Sequence, residues 1–328
     1  MLYDVLCFSA GGLLLAVLAI QQRSLRLRSI ARGLLITYFL LLMIFAGGEI
    51  FFRFFYAESE NVFTQASLNW MARYWHTNSL GYRDREWTPA DYAGKKTILV
   101  TGDSFAAGWG LNNPDDRFSS VLAQHLGDNY AVINLGVYGT ATPEQLENLK
   151  KYPLKKPNVV IMQYFINDID YALLQKGLLP NPEPEPAWVR GSSLMDFLYV
   201  RMLSKFLDPA FNQDWWQVNY AAYDNYVIWD LHKREIEDYI DYVDSTGARL
   251  IVVIFPNMLD PVRSIPYVDR VAQVFQARGH NDILKLFDQA AAWSPQDRMV
   301  SARDTHPSIA FHHLVGDLLY QQYFAANP

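Results

Sequence analysis

The chain lacks most of the features that mark disulfide-rich, nucleotide-binding or nucleic-acid-binding proteins. Its 328 residues include a single cysteine, Cys7, so no intramolecular disulfide can form. The net charge is −6 without a basic stripe, which argues against a nucleic-acid partner. Neither G-x-x-x-x-G-K-[ST] nor G-x-G-x-x-G follows a strand-like run. The 7 histidines show no metal-binding spacing, and we expect neither a metal nor a cofactor.

Long apolar runs are present only near the N-terminus. Leu2–Ile20 and Gly33–Phe52 each approach the ~20 residues that a helix needs to cross a bilayer. The intervening QQRSLRLRSIAR carries four arginines and no acid, which is typical of a cytoplasmic loop. We therefore predict transmembrane helices at about residues 2–20 and 33–55, with both termini, and so the domain after the second helix, outside the cytoplasm. A cleaved signal peptide fits poorly, because no Lys or Arg precedes the first run, and a buried soluble helical hairpin is the other alternative.

The end of the second run carries features of a membrane interface. Glu49 and Arg53 are four residues apart, so they can pair on one helix face. The aromatic stretch at residues 51–56 is typical of an interfacial belt. We interpret both features as anchoring devices.

From residue 96 onward, strand-like and helix-like segments alternate. Strands are predicted at 97–101, 131–135, 159–164 and 249–255, with a weaker one at 298–301; helices are predicted at 117–126, 142–151, 224–246 and 307–324. Strands that read as continuous apolar runs indicate a buried parallel sheet. The predicted fold is an α/β three-layer sandwich with a mainly parallel five-stranded sheet over residues 96–328, preceded by a helical hairpin anchor (1–56) and a connector (57–95).

An insertion at about residues 171–223 interrupts this alternation. Pro180, Pro182, Pro184 and Pro186 indicate an extended segment, and the amphipathic stretch 194–206 follows. The tryptophans Trp215 and Trp216 come next. Long insertions often line binding sites, but aromatic residues also pack ordinary cores, and both interpretations stay open here.

Four short blocks carry residues suited to nucleophilic catalysis. Gly102-Asp103-Ser104 follows the first strand, Asn134 to Gly139 closes the second, and Phe165 to Asp168 closes the third. Asp304-Thr305-His306-Pro307 precedes the last predicted helix. A serine hydroxyl attacks poorly until an imidazole accepts its proton, and that imidazole needs an orienting acceptor. Ends of parallel strands are where α/β sheets place such groups.

In content and order these blocks resemble those of the SGNH (GDSL-type) hydrolases, in particular membrane-anchored bacterial members, over about residues 97–324. The resemblance implies Ser104 as nucleophile, His306 as general base and Asp304 as the group that orients it. It also implies an oxyanion hole formed by the backbone N–H groups of Ser104 and Gly139 and by the amide of Asn167.

The blocks depart from the family pattern at two points and leave two alternatives. The family usually has D-x-x-H, whereas Asp304 lies two residues before His306. Phe165 replaces the glycine of the usual G-x-N-D. Gly136 competes with Gly139 for the oxyanion role, and Asn167 with its neighbour could be a plain turn.

The predicted function is that of an extracytoplasmic serine esterase at a bacterial inner membrane, which removes an O-acyl group, with acetyl as the expected group, from a cell-envelope glycan. Alternatives are acyl transfer to a glycan hydroxyl, with a membrane protein as acyl donor, hydrolysis of a lysophospholipid or other lipid ester, and an inactive binding module. As substrate-lining residues we predict Phe105, Phe165, Trp215 and Trp216.

Overall fold

The structure, a computed structural model, describes residues 2–61, 63–180, 186–203 and 215–325. Two pieces of the predicted insertion, 181–185 and 204–214, lie outside the described residues, and with them Pro182, Pro184 and the end of the amphipathic stretch. The chain divides into two compact units. The first comprises Met1–Glu58, Phe63–Asn69 and Glu183–Phe211, and the second Ser59–Val62, Trp70–Pro182 and Asn212–Pro328.

Helices and strands alternate through most of the second unit. Within the described ranges the helices are α1 (Leu2–Gln21), α2 (Leu25–Ile50), α3 (Gln65–Tyr74), α4 (Pro89–Tyr92), α5 (Ser104–Ala107), α6 (Phe118–Leu126), α7 (Thr142–Lys151), α8 (Asp170–Gln175), α9 (Ser193–Leu198), α10 (Trp215–Asp224), α11 (Tyr226–Thr246), α12 (Pro261–Ala277), α13 (Phe287–Ala292), α14 (Pro295–Arg298) and α15 (Ile309–Tyr323). Short 3-10 turns occur at Pro114–Asp116, Gly127–Asn129 and Ile166–Ile169, and π-helical turns at Phe51–Phe55 and Tyr199–Leu203. The strands are β1 (Lys96–Thr101), β2 (Tyr130–Asn134), β3 (Val159–Phe165), β4 (Arg249–Phe255) and β5 (Ile283–Lys285).

The first unit contains the N-terminal helices, and α2 begins earlier than predicted. It starts at Leu25 and not at residue 33, because leucine, arginine and alanine all favour helix. The guanidinium of Arg28 donates to the carbonyls of Ile20 and Gln22 and so closes the turn after α1. Most of the predicted basic loop is therefore the first part of α2.

One apolar stretch among the described residues is long enough to cross a bilayer. It is Leu25–Phe55, formed by α2 and its π-helical turn. In α1 the described apolar part is the shorter run Gly11–Gln21. The structure thus supports one membrane-spanning candidate where the sequence predicted two.

The sheet has five parallel strands in the order β2-β1-β3-β4-β5, which confirms the predicted mainly parallel sheet. Buried side chains fill β1, β3 and β4 almost without interruption, so these strands carry helices on both faces. The chain steps one way from β1 to β2 and returns across β1 to β3. Right-handed crossovers then place the β1–β2 and β2–β3 connections on opposite faces of the sheet. The direction in which successive strands are added reverses between β1 and β3.

Two helical layers cover the sheet. On one side α6 packs against α15, and on the other α11 packs against α7 and α12. Asn225 caps the start of α11 with its side-chain oxygen, and Gly247 ends it in the left-handed conformation with φ 75°. The resulting three layers are those that the sequence predicts.

The prediction of a strand at 298–301 is wrong. The fifth strand is β5, which pairs with β4 through Ile283 to Lys285. Met299 instead makes an isolated antiparallel bridge with Pro307, and Val300 N donates to His306 O over 2.9 Å. This segment closes a local loop around His306, and its apolar side chains therefore do not signal a sheet strand.

Candidate active site

Ser104 lies immediately beyond the carboxyl end of β1, as the first residue of α5. The side chain of Asp103 caps this turn by accepting from Phe105 N over 2.8 Å. As the first helical residue, Ser104 has a backbone N–H without an intrahelical acceptor. Glycine suits position 102, because φ is 155° and a Cβ there would lie 2.8 Å from Ala106 Cβ as well as 2.2 Å from the side-chain oxygen of Gln163.

The structure brings Ser104, His306 and Asp304 into one hydrogen-bonded row. His306 Nε2 lies 2.9 Å from Ser104 Oγ, and His306 Nδ1 lies 2.6 Å from Asp304 Oδ1. The same carboxylate oxygen accepts from the backbone N–H of His306 over 3.1 Å. This backbone bond folds the short Asp-x-His segment back on itself, so a spacing of two residues still reaches the ring.

Asp304 is fully buried, yet its surroundings favour the ionised carboxylate. Burial alone would raise its pKa, but the charge and the hydrogen bonds of His306 outweigh burial and lower the pKa below the usual range. A carboxylate that accepts from Nδ1 leaves Nε2 as the acceptor for the serine proton.

The other predicted oxyanion residues follow neighbouring strands. Asn167 lies in the 3-10 turn after β3, and its buried Oδ1 has no hydrogen-bond partner among the described residues. Gly139 lies on the loop after β2 with φ 72° and open space around its Cα. Gly136 N–H is taken by Asn134 Oδ1 over 2.8 Å, which leaves Gly139 as the better donor of the two glycines.

Two buried carboxyls, Asp103 and Asp168, lie beneath the site. Burial raises the pKa of both, and Asp103 raises that of Asp168 further. Asp168 accepts from Gln145 Nε2 over 3.0 Å and from Thr142 Oγ1 over 3.3 Å. Asp103 and Asp168 therefore lie in the turns that follow β1 and β3, beyond the ends of these strands.

Gln163 is a supporting residue that sequence reasoning missed. It is fully buried in β3, and its Oε1 accepts from Asp103 N over 3.0 Å and Ala106 N over 3.1 Å. It thus fixes the turn that presents Ser104. A polar side chain inside the apolar run VVIMQYF was the signal that could have revealed it.

A second missed feature is the segment Ser59–Asn61, which we call the strap. Thr305 N donates to Asn61 Oδ1 over 3.0 Å, and Asn61 N donates to Arg303 O over the same distance. Trp109 Nε1 donates to Glu60 O over 3.2 Å. The strap therefore holds the loop that carries Asp304 and His306.

Three of the four predicted lining aromatics, Phe105, Phe165 and Trp216, form one group of rings. Phe105 stacks on Phe165 with centroids 4.1 Å apart, and it lies 5.2 Å from the ring of His306. Trp216 meets Phe165 edge-on at 5.6 Å. Phe105 and Phe165 are 3% and 5% exposed, whereas Trp215 is 37% exposed. Contact with substrate stays a prediction for all four.

Comparison with known proteins finds one matching family profile. Residues 100–314 match the sequence profile of the GDSL-like lipase/acylhydrolase family. No curated protein sequence matches the chain.

The chain is also similar to several solved structures, among them two that are named as esterases. TesA is 16% identical, with 70% of this chain and 98% of that chain covered and a TM-score of 0.43. The acetyl xylan esterase AlAXEase is 12% identical, with 70% of this chain and 100% of that chain covered and a TM-score of 0.43. Est24, a carbohydrate acetylesterase from Sinorhizobium meliloti, is 14% identical, with 71% of this chain and 100% of that chain covered and a TM-score of 0.40.

Proposed function

Because the chain belongs to the GDSL-like lipase/acylhydrolase family and so hydrolyses esters with a serine, we propose that it removes O-acyl groups, chiefly acetyl, from a cell-envelope glycan through an acyl-enzyme on Ser104. The row of Asp304, His306 and Ser104, with contacts of 2.6 and 2.9 Å, is the observation that carries this proposal. It has the geometry in which an oriented imidazole accepts the serine proton.

Acylation begins when Ser104 Oγ attacks the ester carbonyl and its proton moves to His306 Nε2. The carbonyl oxygen becomes an oxyanion, which the N–H groups of Ser104 and Gly139 and the amide of Asn167 stabilise. The imidazolium then gives its proton to the departing sugar oxygen as the C–O bond breaks. The product is a free glycan hydroxyl and an acyl ester on Ser104.

Deacylation repeats these steps with water. His306 accepts a proton from water, the hydroxide attacks the acyl carbon, and Ser104 leaves with the proton returned from the imidazolium. Acetate is released. If a glycan hydroxyl took the place of water, the same residues would transfer the acyl group.

We also propose that Leu25–Phe55 anchors the protein in the inner membrane and that the second unit faces the periplasm or the exterior. The apolar length of this stretch supports the anchor. The arginines at its start, Arg26, Arg28 and Arg32, favour a cytoplasmic N-terminal end for α2. Protease treatment of intact spheroplasts tests the orientation: degradation of the second unit supports it, and protection contradicts it.

The activity is tested with the full-length chain in detergent. Wild type and Ser104→Ala are assayed on 4-nitrophenyl acetate, butyrate and octanoate, and both are treated with a fluorophosphonate probe. We expect hydrolysis and labelling in wild type only, with the highest kcat/KM on acetate.

Each other outcome has a definite meaning. Preference for octanoate indicates a lipid esterase, and labelling with little hydrolysis indicates acyl transfer. A folded wild-type protein with neither labelling nor turnover contradicts the assignment of Ser104 as nucleophile.

A further inference from the structure

A cleft of about 430 Å³ in the second unit is not used by the mechanism above. Its walls include Trp75, which follows α3, and Tyr138, which lies on the loop after β2 next to Gly139. Thr77, Gly81 and Gly136 also line it, and of these Gly136 is buried and Thr77 is exposed. A volume of this size lies within the range of small-ligand sites.

The cleft is connected to the catalytic row by one tryptophan. The ring of Trp109 lies 6.0 Å from His306 and 5.4 Å from both Tyr138 and Trp75. Trp75 and Tyr138 meet edge to face at 5.5 Å. A group that contacts Trp75 or Tyr138 in the cleft is therefore separated from the general base by the ring of Trp109.

The walls of the cleft are fixed in advance. The guanidinium of Arg83 lies 4.7 Å from the centre of the Trp75 ring and holds it through a cation–π contact. The terminal nitrogens of Arg83 are themselves bound to backbone carbonyls, among them those of Gly108 and Leu111. This cation is therefore committed to the fold and offers no terminal donor for an anionic headgroup.

The composition of the cleft favours a sugar ring over an acyl chain. Only Met71 and Val137 among its lining side chains are aliphatic, whereas an acyl pocket is lined mainly by such groups. Trp75 and Tyr138 both line the cleft, and an aromatic ring supplies apolar surface that suits the C–H face of a pyranose. Tyr138 is 37% exposed, and Thr77 is exposed, so hydroxyl groups of a sugar would stay hydrated.

We propose that Trp75 and Tyr138 form a glycan subsite that binds a pyranose ring of the substrate next to the ester held at Ser104. This inference rests on the proposed function, since it takes the substrate to be an acylated glycan. It gives the segment after α3 a binding role.

Binding is measured without catalysis, in full-length Ser104→Ala, by titration calorimetry with xylohexaose, cellohexaose and chitohexaose. We expect at least one hexasaccharide to bind, and Tyr138→Ala and Trp75→Ala in the same background to weaken that binding at least tenfold. Trp75→Phe restores part of the affinity because it keeps an aromatic face. Tyr226→Ala, which removes an 80% exposed tyrosine at the start of α11, is the matched control.

A kinetic comparison uses the enzyme with Ser104 intact. For the variants of Trp75 and Tyr138, we expect the ratio of kcat/KM on O-acetylated xylohexaose to that on 4-nitrophenyl acetate to fall at least tenfold relative to wild type. For Tyr226→Ala the ratio stays within twofold.

The outcomes separate this inference from the proposed function. If no hexasaccharide binds, or if Tyr138→Ala binds as tightly as its parent, the glycan subsite is wrong even where Ser104 hydrolyses esters. Binding of monomeric lysophosphatidylcholine that the same substitutions abolish would make the cleft an acyl site and overturn the proposal. Sugar binding without any Ser104-dependent hydrolysis would contradict the proposed function and leave the subsite standing.

Discussion

The imidazole of His306 is held at both ring nitrogens, by Asp304 and by Ser104. Asp304→Asn keeps the shape of the side chain but can donate a proton to Nδ1, which favours the wrong tautomer. We expect kcat on 4-nitrophenyl acetate to fall by about 10³ to 10⁴, with a much smaller change in KM. Stopped-time assays of the purified variant measure this.

An exposed carboxylate provides the control for that substitution. Asp288→Asn, on the surface of α13, should leave kcat and KM at their wild-type values. A loss below tenfold in Asp304→Asn would show that another group orients His306.

Asn61 positions the histidine loop from the strap. Asn61→Ala removes the acceptor of Thr305 N–H and the donor to Thr305 Oγ1. Because Asn61 is exposed, we expect a loss of stability below about 1 kcal/mol. The loop that carries His306 becomes less well fixed, and kcat should fall about tenfold.

Asn61→Asp separates positioning from simple loss of structure. It keeps the acceptor for Thr305 N–H, so its kcat should lie between those of wild type and Asn61→Ala. Equal activity of all three proteins, at matched melting temperatures, would show that the strap does not influence catalysis.

At this scale, motifs predict the reacting groups better than the groups that support them. Ser104 and His306 stand in short blocks with a distinctive order. Asn61, Gln163 and Trp109 act through a few contacts with residues distant in sequence, and such contacts have no local sequence pattern. Only Gln163 left a trace, as a polar residue within a buried strand.

Among the elements, the packing of the loop after β2 onto α5 depends on Gly136. A Cβ there would lie 2.5 Å from Ala107 N, and backbone atoms cannot move aside as a flexible side chain can. Gly136→Ala should therefore destabilise the second unit by about 2 to 4 kcal/mol, which thermal unfolding measures.

Gly247→Ala gives a comparison at a glycine with free space. Gly247 lies at the end of α11 with φ 75° and no atom close to the position of an added Cβ. The substitution should therefore lower the free energy of unfolding only by the strain of a left-handed alanine, about 1 to 2 kcal/mol. If Gly136→Ala were the milder of the two, the loop would be more adaptable than its packing indicates.

Glu49 links two elements of the first unit. Its carboxylate accepts from Ser192 Oγ, Ser193 N and Leu194 N at 2.7 to 3.1 Å, and it also pairs with Arg53 as predicted. Glu49→Ala leaves the start of α9 without these acceptors. We expect trypsin to cleave Glu49→Ala after Arg190 and Arg201 faster than wild type, and Glu49→Gln at an intermediate rate. Mass spectrometry of the fragments measures the rates. Unchanged cleavage in Glu49→Ala would contradict this role.

Element prediction succeeded where side-chain periodicity and burial agreed. β1, β3, β4, α7 and α11 lie within one or two residues of their predicted bounds. α12 was not predicted, because Pro266 inside it reads as a helix breaker, although Asp260 and Pro261 supply a good start. β5 is only three residues long, and pairing with β4 rather than its own sequence defines it.

For the whole molecule, buried carboxyls set the response of stability to pH. Burial raises the pKa of Asp170 from 3.8 to about 7, although a hydrogen bond from Asn219 opposes this. Between these pH values the folded state keeps a proton that the unfolded chain has released. The free energy of unfolding therefore falls as pH rises from about 4 to about 7.

Asp170→Asn removes this titration. We expect the melting temperatures at pH 5 and pH 8 to differ less in the variant than in wild type. The part of this difference that is lost corresponds to about 1 to 4 kcal/mol in the free energy of unfolding. Intrinsic tryptophan fluorescence during heating measures it. A wild-type difference that the variant reproduces unchanged would assign the pH response to other groups.

The strap also has a consequence for anyone who prepares a soluble form of the enzyme. It begins only four positions after Phe55, the last residue of the apolar stretch, so a cut chosen generously clear of the hydrophobic sequence removes it. Such a fragment would keep Ser104, Asp304 and His306 and would be soluble, but the loop that carries His306 would lack its contacts with the strap. A soluble fragment should therefore begin at residues 56–58. Low activity of a fragment that begins later would result from loss of the strap and would not argue against the catalytic role of Ser104.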